Sequence, residues 1–310
     1  MSAFADRVID RANKNQSRVI VGLDPNLSNF PEYLQARLKA EPTDDKLCET
    51  LFAFNRVVIE STKNCAVAYK PQAAFYEQYG MAGVKALQLT ICLLREMGLL
   101  TIIDAKRNDV AHTAGAYAKA WIGAKHPIFD TPNPWQSDAI TINGYLGVDG
   151  INPFIKENSD AGLFILVKTS NPSSGDLQDL PLATGESVAE KMAALTHEWG
   201  LQVIGSSGYS NVGMVVGATY PEFSANLRSL APNALILMPG IGAQGGSLDS
   251  ITAAAGKGTV GAYAASSRGV MYPFEAQALN GENWEDQART NITNAAEDLR
   301  KAIQGKIVSL

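Results

Sequence analysis

A closed (β/α)8 barrel, an α/β architecture, is the fold class this sequence predicts, and three observations carry the prediction. Eight short apolar or β-rich runs recur along the 310 residues. Longer stretches with apolar residues at helical spacing lie between them, the alternation expected of βα units in a parallel sheet. Several runs end in polar or glycine-bearing tails, and in such a barrel the carboxyl ends of all strands converge on one mouth. An open doubly wound sheet more often has five or six strands, so eight favour closure.

In chain order the runs are RVIVGL (18–23), CAVAYK (65–70), LLTIID (99–104), AITING (139–144), LFILVK (163–168), VGMVVGA (212–218), ALILMPG (234–240) and TVGAYAA (259–265). Crossover helices are expected over 50–63, 81–98, 186–200 and 220–231, where apolar residues recur every three or four positions. The segment 285–307 has the same spacing and is expected to close the barrel after the eighth strand. NPSSGDLQDLPLATG (171–185) is long for a βα connection and is expected to be an active-site lid. No linker rich in Pro, Gly or Ser divides the chain, so residues 1–310 are read as a single domain.

Composition narrows the class of function. Hydrophobic residues make up 46% and charged residues 18%, with a formal net charge of −5 and no basic run, which argues against nucleic acid or an anionic membrane as partner. The first residues lack a signal-peptide core and no apolar run approaches a membrane span, so the chain is expected to be cytoplasmic. Cys48, Cys65 and Cys92 are odd in number and share no ligand-like spacing with His112, His126 or His197, so neither a disulfide frame nor a metal site is expected.

The sharpest chemical feature is Asp104-Ala-Lys106-Arg-Asn-Asp109 at the end of the apolar run LLTII. Strand side chains alternate faces, so Asp104 and Lys106 should point together into the mouth, while Asp109, three residues further on, can reach a different partner. Such a pair can be purely structural, because buried charges must be matched. Lys70 and Asp24 at neighbouring strand ends extend it into an alternating acid-base array that a structural pair does not need. PGIGAQGG (239–246) and SSRG (266–269) follow the last two strand ends, where barrels of this kind commonly hold a phosphate. Their glycines let backbone N–H groups approach an anion, and Gln244 and Arg268 add side-chain donors.

With these motifs in place the sequence resembles the orotidine 5'-phosphate decarboxylase family, in particular its longer bacterial branch. The core signature is Asp104, Lys106, Asp109 and Val110, supported in order by GLDP (22–25), YKPQAAFYE (69–77), VKTSNPSS (167–174), PGIGAQGG and SSRG. The resemblance implies a TIM barrel that converts orotidine 5'-phosphate to UMP and carbon dioxide in pyrimidine biosynthesis without a cofactor. It implies Lys106 as proton donor to C6 of the pyrimidine and Asp104 beside the substrate carboxylate, with Lys70 and Asp24 on the ribose hydroxyls. It further implies Ser170 on the pyrimidine amide edge and Gln244, Arg268 and Gly269 around the phosphate. Asp109 and Thr113 match residues that the family contributes to a neighbouring subunit's site, so a homodimer is implied. Ala111-His112 and Gly144 stand where many relatives have Pro-Asn and Pro.

Other functions fit parts of the pattern. A sugar-phosphate decarboxylase or synthase shares Asp-x-Lys-x-x-Asp but uses magnesium, and Lys70 stands where its pattern needs an acid. Schiff-base lyase chemistry through Lys106 or Lys168 is a second, and a catalytically silent protein that binds a phosphorylated ligand is a third.

Overall fold

The computed structural model describes residues 2–126, 128–129, 131–219, 221–241, 246–255, 260–279 and 281–308. Its eight strands are β1 (Val19–Leu23), β2 (Ala66–Pro71), β3 (Ile102–Arg107), β4 (Ala139–Ile142), β5 (Gly162–Lys168), β6 (Ser210–Val216), β7 (Ala234–Pro239) and β8 (Ala262–Ser266). They form one sheet in the order β2-β1-β8-β7-β6-β5-β4-β3, and every paired neighbour is parallel. The two ends of that order, β2 and β3, meet through single parallel bridges, Tyr69 to Thr101 and Gln72 to Asp104. Main-chain bonds from Tyr69 N–H to Leu100 O (2.8 Å) and Ala73 N–H to Asp104 O (3.2 Å) reinforce this seam. The result is a nearly closed (β/α)8 barrel, as the alternation of strand and helix predicts.

Local signals set the helix boundaries. The helix expected from residue 50 begins at Asp44, because Thr43 caps it by accepting from Lys46 N–H and two acids occupy its first turn. The Val188–Gly200 helix starts with a reciprocal capping box between Ser187 and Glu190. The helices Gly80–Glu96, Pro221–Leu230 and Trp284–Val308 fall within a few residues of the stretches read for them.

Two apolar layers follow from the strand alternation. Val19, Val21, Leu23, Ile103, Ile140 and Ile142 pack outward against the helical shell. Ile20, Ala68, Ile102, Ala139, Phe164, Leu235 and Tyr263 pack inward and fill the barrel. The first helix, Phe4–Asn15, joins this inner cluster through Phe4, Ala5, Val8, Ile9 and Ala12. It lies across the amino ends of the strands: Ala5 N–H donates to Asn211 Oδ1 (2.9 Å), Arg11 Nε to Ala66 O (3.1 Å), and Arg7 pairs with Asp138. Phe4 meets the Phe164 ring edge-on at 5.9 Å, and Gly162 leaves it room, since a Cβ there would stand 2.3 Å from the Phe4 ring. This helix seals the end opposite the strand tails.

Two strands depart from expectation. β3 lies three residues later than LLTIID, so the strand that was expected to end at Asp104 runs on through Lys106 to Arg107. Hydrophobicity ends at Ile103, but the strand runs on because Asp104 and Lys106 find polar partners inside the barrel. β5 carries an irregularity: Leu166 pairs with Val215 while Lys168 pairs with Val216. The extra residue reverses the alternation, a β-bulge in effect.

Phe4→Ala should lower the free energy of unfolding by about 3–5 kcal/mol, the usual loss for a fully buried phenylalanine. Urea unfolding measures it, and an unchanged midpoint would mean that the helix is not a seal.

Candidate active site

The strand tails enclose a cavity of about 480 Å³ at the carboxyl end of the barrel, within the range of small-molecule sites. Leu166, Val215, Leu237 and Ala265 give it an apolar floor, and Lys70, Asp104, Lys106 and Thr141 line it above. Alternation explains the division, because Lys70 follows Ala68 by two residues, Asp104 follows Ile102, and Thr141 follows Ala139.

Asp104 is the centre of this array. Its Oδ2 accepts from Lys70 Nζ (2.6 Å) and Gln72 Nε2 (2.9 Å), and its Oδ1 from Lys106 Nζ (2.6 Å) and Thr141 Oγ1 (2.8 Å). Burial alone pushes its pKa up, but the charges of Lys70 and Lys106 outweigh burial and hold the carboxyl well below the usual range. For Lys70 burial favours the neutral amine, and the facing charges of Asp104 and Asp24 overcome it, raising its pKa. Lys70 is 7% exposed at its side chain and Lys106 is 44% exposed. One ammonium is locked in and the other opens to the cavity. Asp24 lines the same space, and its Oδ1 is buried with no hydrogen-bond partner among the described residues. Tyr272 steadies the Asp24 loop, accepting from Asn26 N–H (2.9 Å) and donating to Asp24 O (3.2 Å), while its ring stacks on Phe54.

Across the cavity lie Gly240, Ile241, Ser266, Ser267 and Arg268. Gly22 makes room for this wall, since a Cβ there would lie 1.9 Å from Ser267 Oγ. Gly240 has φ +94, in the left-handed region that glycine adopts without strain. Arg268 forms no ion pair among the described residues and opens the short helical turn Arg268–Met271. Gln244 lies outside the described residues.

Of the residues singled out in the sequence, Asp24, Lys70, Asp104, Lys106, Ser170 and Arg268 are brought together around this cavity. Asp109, Thr113 and Gly269 do not line it. Asp109 is half-buried just beyond β3, and Thr113 is on the helix Ala111–Trp121. Lys168 ends the fifth run beside Thr169 and Ser170, which line the cavity, but the bulge turns it away. It is 5% exposed, donates to Asp179 Oδ1 at 2.6 Å and lies over the Phe223 ring, so it anchors the connection after β5. Phe75, Thr141 and Tyr272 also line the cavity and were not singled out. Period-two alternation marked Gln72 and Thr141; nothing local in the sequence marked Tyr272. At Gly144 the space a Cβ needs is taken by Met192 Sδ, at 2.8 Å.

Comparison with known proteins agrees with this geometry. Residues 17–272 match the model of the orotidine 5'-phosphate decarboxylase / HUMPS family. An orotidine 5'-phosphate decarboxylase of Rhodopirellula baltica is 38% identical over 306 residues, covering 97% of this chain and all of that one. Its counterpart from Caldicellulosiruptor bescii is 39% identical over 308 residues, covering 98% of this chain and all of that one. The structure of Leishmania donovani OMP decarboxylase superposes with a TM-score of 0.74 at 30% identity, covering 99% of each chain. The chain therefore belongs to the orotidine 5'-phosphate decarboxylase family and is an enzyme of pyrimidine biosynthesis that removes carbon dioxide from orotidine 5'-phosphate.

Proposed function

We propose that Lys106 delivers the proton to C6 as carbon dioxide leaves, and that the reaction uses no cofactor. The observation that carries this is the Lys106 ammonium, half-exposed in the cavity and held 2.6 Å from a carboxylate that stays ionised. Loss of carbon dioxide from the orotate ring leaves a vinylic carbanion that no adjacent carbonyl or imine delocalises, so charge at C6 must be met electrostatically. A preorganised cation over an apolar floor does this without reorganisation at the moment of reaction. Asp104 faces the substrate carboxylate, and their repulsion favours departure. At ~4 Å and an effective dielectric of about 20 that repulsion is roughly 4 kcal/mol. Very slow uncatalysed reactions require a barrier reduction on the order of 20 kcal/mol, so ground-state stress is a minority contribution. The ammonium and remote binding must supply the rest.

In this arrangement Asp24 and Lys70 take the ribose hydroxyls, Ser170 the pyrimidine amide edge, and Gln244, Arg268 and Gly269 the phosphate. The 171–185 connection, tethered through Lys168 and Asp179, acts as a lid that excludes water once the phosphate is held. The whole chain works as one domain in the cytoplasm. Its partners are the nucleotide and a second copy of itself, whose site receives Asp109 and Thr113. Exposed Val110, Tyr145, Leu146 and Val148 support the dimer, and Gly150 lies against both the Asp109 carbonyl and Leu146, which places Asp109 beside this apolar patch. Magnesium chemistry is disfavoured by Lys70, a cation where a metal needs an acid.

Lys106→Ala should abolish the ultraviolet change of orotidylate on adding enzyme, while the unaltered enzyme keeps its rate after exhaustive chelation; turnover by the alanine variant would overturn the role. The dephosphorylated nucleoside should react with lower kcat as well as weaker binding, and Arg268→Ala should raise KM for the nucleotide. An unchanged kcat for the nucleoside would mean that phosphate binding does not close the site. Mixed in equal amounts, inactive Asp109→Asn and Lys106→Ala proteins should recover up to about a quarter of wild-type activity, because heterodimers rebuild one intact site of two. No recovery on mixing would show that Asp109 does not serve the opposite subunit.

A further inference from the structure

The backbone at Lys106 has φ +48, a left-handed conformation rarely adopted by residues with a Cβ, so its surroundings must hold it there. The β3–β4 ladder shows how. Its register passes from Ile103 opposite Ile140 to Arg107 opposite Ile142, leaving Asp104, Ala105 and Lys106 against the single residue Thr141. Lys106 N–H therefore has no carbonyl across the ladder and donates instead to Thr141 Oγ1, at 3.0 Å.

That hydroxyl has one proton to give. Because the Lys106 amide occupies it as acceptor, its proton is directed to Asp104 Oδ1, 2.8 Å away, the oxygen that also takes Lys106 Nζ. Thr141 is 1% exposed, so water does not replace either bond. A single buried hydroxyl thus fixes the main chain of Lys106 and the carboxylate its ammonium rests on.

We propose that Thr141 is a positioning residue for the decarboxylation: it sets where the Lys106 ammonium stands without touching the reacting atoms. The inference rests on Lys106 as proton donor. If the hydroxyl only satisfied a buried amide, its loss would lower stability and leave the rate per folded molecule intact. If it places the ammonium, loss lowers kcat and spares KM, since the phosphate and ribose contacts lie elsewhere.

The test uses the full-length enzyme with orotidine 5'-phosphate and compares Thr141→Val, Thr141→Ser and Lys106→Ala, with kcat, KM and thermal midpoint measured for each. Exchange of the C6 proton of UMP in D2O, followed by NMR, reports the lysine's access to C6 independently. The valine variant should lose ~10-fold or more in kcat with KM within about twofold, and exchange should slow in parallel. Serine should restore both to within a few-fold. Should valine prevent folding, Thr141→Cys, a weaker donor of similar size, should fall between serine and valine. Wild-type kcat and exchange in the valine or cysteine variant would overturn the proposal, as would a serine variant no better than valine. If Lys106→Ala itself keeps full turnover, the donor role fails whatever Thr141 does; if it is inactive while valine is fully active, only the positioning role fails.

Discussion

The structure depends on one buried carboxylate that must stay ionised. Asp104 is 6% exposed and accepts four hydrogen bonds, two at each oxygen, from two ammonium groups, an amide and a hydroxyl. Left with one donor, a charge in such a place would be costly and the group would take up a proton instead. Each donor comes from a strand next to Asp104 or from its own: Lys70 and Gln72 from β2 and its extension, Thr141 from β4, Lys106 from β3. Barrel closure and the ionised carboxylate are therefore the same requirement. The β2–β3 seam has only isolated bridges in its backbone ladder, and the Lys70 and Gln72 side chains reach across it to Asp104.

This requirement separates a structural ion pair from a functional array. A structural pair is complete with Lys70, which is buried and charge-matched to Asp104 and Asp24. Lys106 adds a second cation to an already paired acid and leaves its side chain 44% open to the cavity. Nothing in the stability of the barrel calls for that. Beneath it, the floor of Leu166, Val215, Leu237 and Ala265 and the inner packing down to Phe4 hold water away from the far end. The inner apolar packing thus lies toward the amino ends of the strands and the open cavity at their carboxyl ends.

Much of this was legible in the sequence, and the misreadings have physical causes. Strand number, parallel order and the major helices follow from periodicity, which reports burial directly. The first helix is absent from the sequence reading although Phe4, Val8 and Ala12 recur at four-residue spacing, and its place at the barrel floor depends on contacts with residues as distant as Asn211. The end of β3 was placed too early because apolar character stops at Ile103, whereas strand pairing depends on satisfied backbone and polar groups of either kind. Asp109 is the instructive case among the site residues. Its spacing from Asp104 set it apart from the array, and the structure places it outside the cavity, beside an apolar surface.

Lys106 and Lys168 show why alternation alone does not decide where a strand-end lysine points. Both sit two residues beyond a cavity-lining residue, Asp104 and Leu166, and a regular strand would turn both inward about 6–7 Å further along. Both strands are irregular there, with opposite results. In β5 one extra residue carries Lys168 outside the wall, onto Asp179 and Phe223. In β3 the irregularity spans three residues against one, and the left-handed turn at Lys106 folds the chain back so that Nζ reaches Oδ1 of the acid two places before it. The inward lysine is therefore maintained by local strain rather than by the pleat. Strain of that kind persists only where a specific partner holds it, and here the partner is the buried hydroxyl on the neighbouring strand.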